Sequence, residues 1–164
     1  LSHLSTIEPP GPAVSGRVFN MRRRGITDTT APLHRLFSGQ HPYQTIGIGD
    51  GGNEIGMGKW PPATFAGIEH GNTIACRIAC DFTIACGVSN WGALALGIAI
   101  AVMRGDRGAV QQFDVEQSGT VLQRLVQNRL VVDGVLGVPK LSVDGLSWPE
   151  HESLSRRLLS IALT

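Results

Sequence analysis

Residues Gly47 to Gly58 read Gly-Ile-Gly-Asp-Gly-Gly-Asn-Glu-Ile-Gly-Met-Gly, and six of the twelve are glycine. Glycine admits positive φ and lets backbone approach a ligand closely, at an entropic cost that an ordinary loop avoids. Asp50, Asn53 and Glu54 place three hard oxygen donors within five positions. Such donors suit Mg²⁺ or Mn²⁺. As a dinucleotide fingerprint the loop fails, because Asp50 stands where pyrophosphate would approach Gly47-x-Gly49-x-x-Gly52. As a P-loop it also fails, since Trp60 rather than Ser or Thr follows Lys59. A tight turn held by local Asp and Asn bonds is the plain alternative.

Two further places could carry chemistry. Asp81 is an acid inside an apolar stretch, where a carboxylate must find a cation or hydrogen-bond donors. Ser89-Asn90-Trp91-Gly92 opens a helical stretch whose first N–H groups favour an anionic group of a substrate. Plain capping explains Ser89 equally well. Asp133-Gly134 and Asp144-Gly145 read as turn pairs or as sites. The five histidines assemble no Ser/His/Asp or Cys/His set. Cys76, Cys80 and Cys86 are odd in number and apolar in surroundings, which suggests inert thiols and a reducing compartment.

The elements that must position these residues follow from hydrophobic pattern. Thr45–Gly49 reads as a buried strand ending in the glycine loop, with Asn53–Met57 opening a helix. Thr73–Ile78 and Phe82–Val88 read as further strands, as do Leu130–Val135 and Lys140–Val143. Helices are expected over Ala31–Phe37, from Ser89 through Met103, over Val115–Leu130 and over Pro149–Leu163. The helix from Ser89 is apolar all round and is expected to be buried. Alternation of short strands with helices predicts an α/β fold, a layered sheet of mostly parallel strands with helices on both faces. Ligands of such sheets sit beyond the carboxyl ends of the strands. No repeat or low-complexity linker interrupts the chain, which reads as a single domain over residues 1–164.

Composition narrows the partners. With 42% apolar residues, 16% charged residues and a net charge of +1, the chain is globular and carries no field for nucleic acid or anionic membrane. Arg22-Arg23-Arg24 is its one basic cluster and reads as a solvated turn. The longest apolar run, Trp91 to Met103, is too short to span a bilayer, so a soluble, cytoplasmic protein is expected. A homo-oligomer stays open. Leu1 reads as a start inside a domain.

These motifs resemble one family. Gly47 through Lys59, Ile74-Ala-Cys76, Asp81 and Gly87-Val-Ser-Asn-Trp-Gly92 are similar to the C-terminal domain of the D-glutamate cyclase family. So are Ile7-Glu8, Phe19-Asn20-Met21, Thr30-Ala-Pro-Leu33, Val132-Asp-Gly134 and Ser142-Val-Asp-Gly-Leu146. The resemblance implies an acidic, metal-binding cavity and the cyclising dehydration of D-glutamate to 5-oxo-D-proline, an acidic amino acid being the small-molecule partner. On that reading Asp50, Glu54 and Asp81 hold Mn²⁺ or Mg²⁺. Glu8 and Asp81 are catalytic, Glu8 as proton carrier, and Asn53, Ser89 and Asn90 bind substrate. Two departures stand out. The family's domain extends further on its N-terminal side, where another acidic motif is expected. Pro9 and Pro12 also stand where arginines are expected. A divalent-metal-dependent hydrolase of a small substrate, phosphorylated or not, and a non-catalytic degenerate relative are the rival readings.

Overall fold

The computed structural model describes all residues, 1–164. The chain divides into two compact units, Leu1–Ala93 and Leu94–Thr164.

The first unit is built on a parallel three-stranded sheet, β1 (His3–Ile7), β2 (Gln44–Gly49) and β3 (Phe82–Ala85), in the order β1-β2-β3. Together with the helices this is an α/β fold. β2 is the central strand, and its alternation of Thr45, Ile46 and Ile48 with glycine suits a strand covered on both faces. Ile48 is 1% exposed. Because the three strands run in parallel, Ile7, Gly49 and Ala85 end on the same side of the sheet, and the residues that follow each of them meet there.

Two glycines let the loop fold back on β2. A Cβ on Gly47 would lie 2.6 Å from the Gly56 Cα and 2.7 Å from the Ile55 carbonyl oxygen. Gly56 itself has φ +105°, which side-chain-bearing residues rarely adopt. Residues 53–57 therefore form no helix. They make bridges instead, Glu54 to Pro10 and Gly56 and Met57 to Ala79. Around them lie small apolar clusters, one of Ala13, Phe19 and Ile74, another of Phe37, Ile55 and Cys80 with Leu4 and Ile78 packed against it.

Two expectations change here. Thr73–Ile78 is no strand: α1 (Gly71–Ile74) is a single turn entered from His70 at φ +61°, and Cys76 then bridges Ala13. A short apolar run satisfies either pattern, and tertiary contacts decide. Ala31–Phe37 contracts to a 3₁₀ turn at Leu33–Leu36.

α2 (Ser89–Met103) contains the boundary between the units. It is covered on one side only: Ile98 and Ala101 are buried, whereas Ile100, Val102 and Met103 are exposed. The expectation of a helix buried all round fails because uniform apolarity does not specify which face a neighbour covers.

The second unit carries α3 (Arg107–Gln111), α4 (Val115–Gln127), a hairpin of β4 (Ser142–Val143) and β5 (Leu146–Ser147), and α5 (Trp148–Leu163). Asp106 and Asp114 cap α3 and α4 through the N–H groups of Ala109 and Gln117, at 2.9 Å each. Ser147 and Glu150 form a capping box at α5. Leu130–Val135 is not a strand, because Asp133 gathers the turn around itself. Its carboxylate accepts the N–H groups of Val135, Leu136 and Gly145 and the Ser142 hydroxyl at 2.6 Å. No helix is long and apolar enough to cross a membrane.

Candidate metal centre

Three carboxylates converge beyond the carboxyl ends of β1 and β2. Glu8, Asp50 and Glu54 bring one oxygen each within 4.8 Å of the others. Each arrives for a separate reason. Glu8 directly follows β1 and has φ +77°, a turn that sends the next residues across the glycine loop. That strap is tied down by Gly11 N–H to the Asn53 carbonyl at 2.9 Å and Ile55 N–H to the Pro9 carbonyl at 3.0 Å. Asp50 directly follows β2. Its carboxylate accepts both the Ser89 N–H, at 2.7 Å, and the Ser89 hydroxyl, at 3.0 Å. Ser89 is wholly buried at the start of α2, so Asp50 is held by the helix end it caps.

Glu54 is the deepest of the three, 3% exposed. One of its oxygens accepts the Gly51 N–H at 2.8 Å. The other, Oε2, is buried with no hydrogen-bond partner. Burial pushes the Glu54 carboxyl above its ordinary value; the Gly51 N–H works against this and the neighbouring Asp50 charge adds to it. A buried carboxylate oxygen without a donor is costly, and what relieves it is a proton or a cation. The donor set, three carboxylates on neighbouring segments, is of the hard oxygen kind that Mg²⁺ and Mn²⁺ take. The residues present therefore fit a divalent cation.

The family model described as D-glutamate cyclase-like, C-terminal, matches residues 1–159. The chain belongs to that family. A human protein named D-glutamate cyclase, mitochondrial, is 33% identical to it over 183 residues, which cover 97% of this chain and 30% of the human protein. The chain thus spans less than a third of that relative's length.

Within this D-glutamate cyclase-like domain, the other expected site residues lie as follows. Ser89 is in the centre through Asp50, and Asn90 is exposed on the first turn of α2 beside it. Asn53 is buried, and its side-chain amide donates to the Phe19 carbonyl at 2.9 Å. It ties the Phe19 segment to the glycine loop. Asp81 is not brought to the three carboxylates. It precedes β3 at the amino-terminal side of the sheet, and five residues of β2 put it roughly 16 Å from Asp50. There its carboxylate accepts the Thr45 N–H at 2.7 Å and the Thr45 hydroxyl at 2.9 Å. Those two bonds hold it below the usual carboxylate range. Lys59 donates to the Asp81 carbonyl. An acid in an apolar stretch here is exposed and finds its donors at Thr45.

Glu8 as a candidate metal ligand is what sequence reasoning missed. The available signal was its place directly after the first strand, matching that of Asp50 after the second. Among the cysteines, Cys86 is the one whose thiol feels the charge of all three carboxylates. Burial raises its thiol pKa, as do the Asp50, Glu8 and Glu54 charges, while the Gly92 N–H lowers it. Burial raises that of Cys76 to about 11, so neither is a thiolate near neutrality.

Proposed function

We propose that this domain is a metal-assisted lyase of the D-glutamate cyclase type, converting D-glutamate to 5-oxo-D-proline and water. The observation that carries the reading is the buried, unpartnered Glu54 oxygen grouped with Glu8 and Asp50 in a chain of this family. A divalent cation, Mn²⁺ or Mg²⁺, bound by Glu8, Asp50 and Glu54 would supply Lewis acidity toward a carboxylate oxygen.

In the reaction the amine nitrogen bonds to the γ-carboxyl carbon and one carbon–oxygen bond breaks. The departing oxygen leaves as water, taking the two protons that the ammonium group gives up. Glu8, on the exposed rim of the cluster, holds and passes a proton between the amine and the departing oxygen. Ser89 fixes the Asp50 carboxylate, and Asn53 fixes the loop that carries both acids. Asn90, exposed on the first turn of α2, meets the substrate's polar end on this reading. The partner is a small acidic amino acid. Three free thiols suit a reducing compartment, with the cytoplasm as the expected one; the human relative's name places that protein in the mitochondrion.

Calorimetric titration of the metal-stripped protein with Mn²⁺, repeated on Asp50→Asn, tests the reading together with assay of 5-oxoproline formation. Saturable binding lost in Asp50→Asn, with turnover of D-glutamate, is the expected outcome. A folded protein that binds neither Mn²⁺ nor Mg²⁺ sinks it.

A further inference from the structure

Beside the metal centre lies a cavity of about 220 Å³ that shares Asp50 with it but is lined by neither Glu8 nor Glu54. Its walls are the ends of β2 and β3 and the segment 57–68, with Met57, Trp60, Phe65 and Ile68 as its large side chains. Met57 and Phe65 are buried and fixed in place; Trp60, 42% exposed, stands nearer solvent. Phe65 abuts the glycine loop so closely that a Cβ on Gly52 would lie 2.6 Å from its ring. The wall and the metal-binding loop are thereby one packed piece.

Charge and size define what this space takes. Asp50 is the only charged residue of the lining, and no lysine, arginine or histidine faces the space. Away from the Asp50 edge, a carboxylate entering it would give up water and meet no cationic side chain, so the part of a ligand that fills it is uncharged. The volume lies below the roughly 300 Å³ at which drug-sized pockets begin. At about 30 Å³ per water it equals roughly seven waters, which suits a compact body of a few carbon atoms. Asp50 offers an acceptor at one edge, and Thr64 a neutral hydroxyl.

We propose that this cavity is the subsite for the uncharged, ring-forming part of the substrate, so that a five-membered lactam fills it better than a linear dicarboxylate. The inference rests on the cyclase reading and adds what that reading leaves open: which wall folds the chain. Apolar walls matched to the folded methylenes favour the ring-like geometry through which the amine reaches the carboxyl carbon, and binding energy used on that shape assists the closure. Both carboxylates of a linear substrate stay outside these walls, toward Glu8, Asp50 and Glu54 or toward solvent.

The test is a tryptophan-fluorescence titration of the 164-residue chain with 2-pyrrolidinone and 5-oxo-D-proline, with glutarate as the linear dianion. The lactams are expected to change the emission and glutarate to leave it nearly unchanged, and Trp60→Phe should remove the response. Ala85→Leu and Thr64→Leu narrow the cavity from opposite walls. Each should weaken lactam binding about tenfold or more while Mn²⁺ affinity stays as in the parent. Circular dichroism identifies a variant that fails to fold, and the other then carries the comparison. Glutarate binding as well as the lactams, or undiminished lactam affinity in a folded narrowed variant, overturns the subsite. Lactam binding by a protein without D-glutamate turnover supports the subsite and counts against the cyclase reading alone. Turnover that persists unchanged in both narrowed variants does the reverse.

Discussion

Glu54 and Ser89 divide the work of the centre, and their substitutions are expected to differ in kind. Glu54 carries a buried oxygen that no donor satisfies, so on the proposed reading it lowers the stability of the metal-free fold and is relieved by the cation. Because burial raises its folded pKa, the sign is that of a group whose ionised form is disfavoured by folding. Its destabilising effect is felt above that pKa and fades as pH falls through it. Glu54→Gln should abolish measurable Mn²⁺ binding in calorimetry yet leave the thermal midpoint of the metal-free protein at neutral pH no lower than the parent's. A large drop in that midpoint would show Glu54 to be a structural acid instead. Ser89 donates to Asp50 through both its N–H and its hydroxyl. Ser89→Ala keeps the backbone N–H bond and loses the hydroxyl, so Mn²⁺ affinity should fall by about 10- to 100-fold rather than vanish.

The strap, the glycine loop and the start of α2 decide how much could be read in advance. The glycine loop stood out as a candidate site because glycines and hard oxygens are dense within one segment, and Ser89 was legible as a helix start by its residue type. Glu8 was not legible as a partner of Glu54, because its place depends on bonds between segments more than forty residues apart, such as Ile55 N–H to the Pro9 carbonyl. Asp81 shows the opposite failure. An apolar neighbourhood in the sequence suggested a burial cost, but Asp81 is exposed, and its carboxylate joins two strands through Thr45. Leu130–Val135 had a strand's composition, but no strand pairs with it, and Asp133 supplies acceptors that a turn can use. At the loop itself the fit to β2 is close enough to test. Gly56→Ala puts a Cβ 2.6 Å from the Gly47 Cα and imposes φ +105° on alanine. The two effects should cost about 3 kcal/mol or more in urea denaturation, and Mn²⁺ binding should weaken with them. A Gly56→Ala protein of parental stability would mean that the loop does not rest on the strand.

Across the whole molecule, the family match over residues 1–159 and the parallel sheet agree about what kind of domain this is, and acid stability reports on how its parts are held. Asp133 dominates the acid side. Burial alone would raise its pKa, but the Ser142 hydroxyl and the N–H groups of Leu136, Gly145 and Val135 outweigh it and bring the pKa from 3.8 to about 2. The Thr45 bonds depress Asp81 and the Ser147 bonds depress Glu150, while burial shifts Glu54 the other way. A depressed carboxylate contributes stability that is present above its unfolded pKa and is lost as pH falls through its folded pKa. For Asp133 the window runs from about pH 4 to about pH 2, and after allowance for solvent screening the contribution is about 1–2 kcal/mol. Urea midpoints measured from pH 7 to pH 2 should therefore hold level down to about pH 4 and then fall. Asp133→Asn should be less stable than the parent at pH 7, since an amide cannot accept all four donors, and the gap should narrow as the parent's own Asp133 is protonated. A gap that stays constant down to pH 2 would mean that Asp133 acts through packing, and that its carboxylate charge does not hold the Ser142–Gly145 turn.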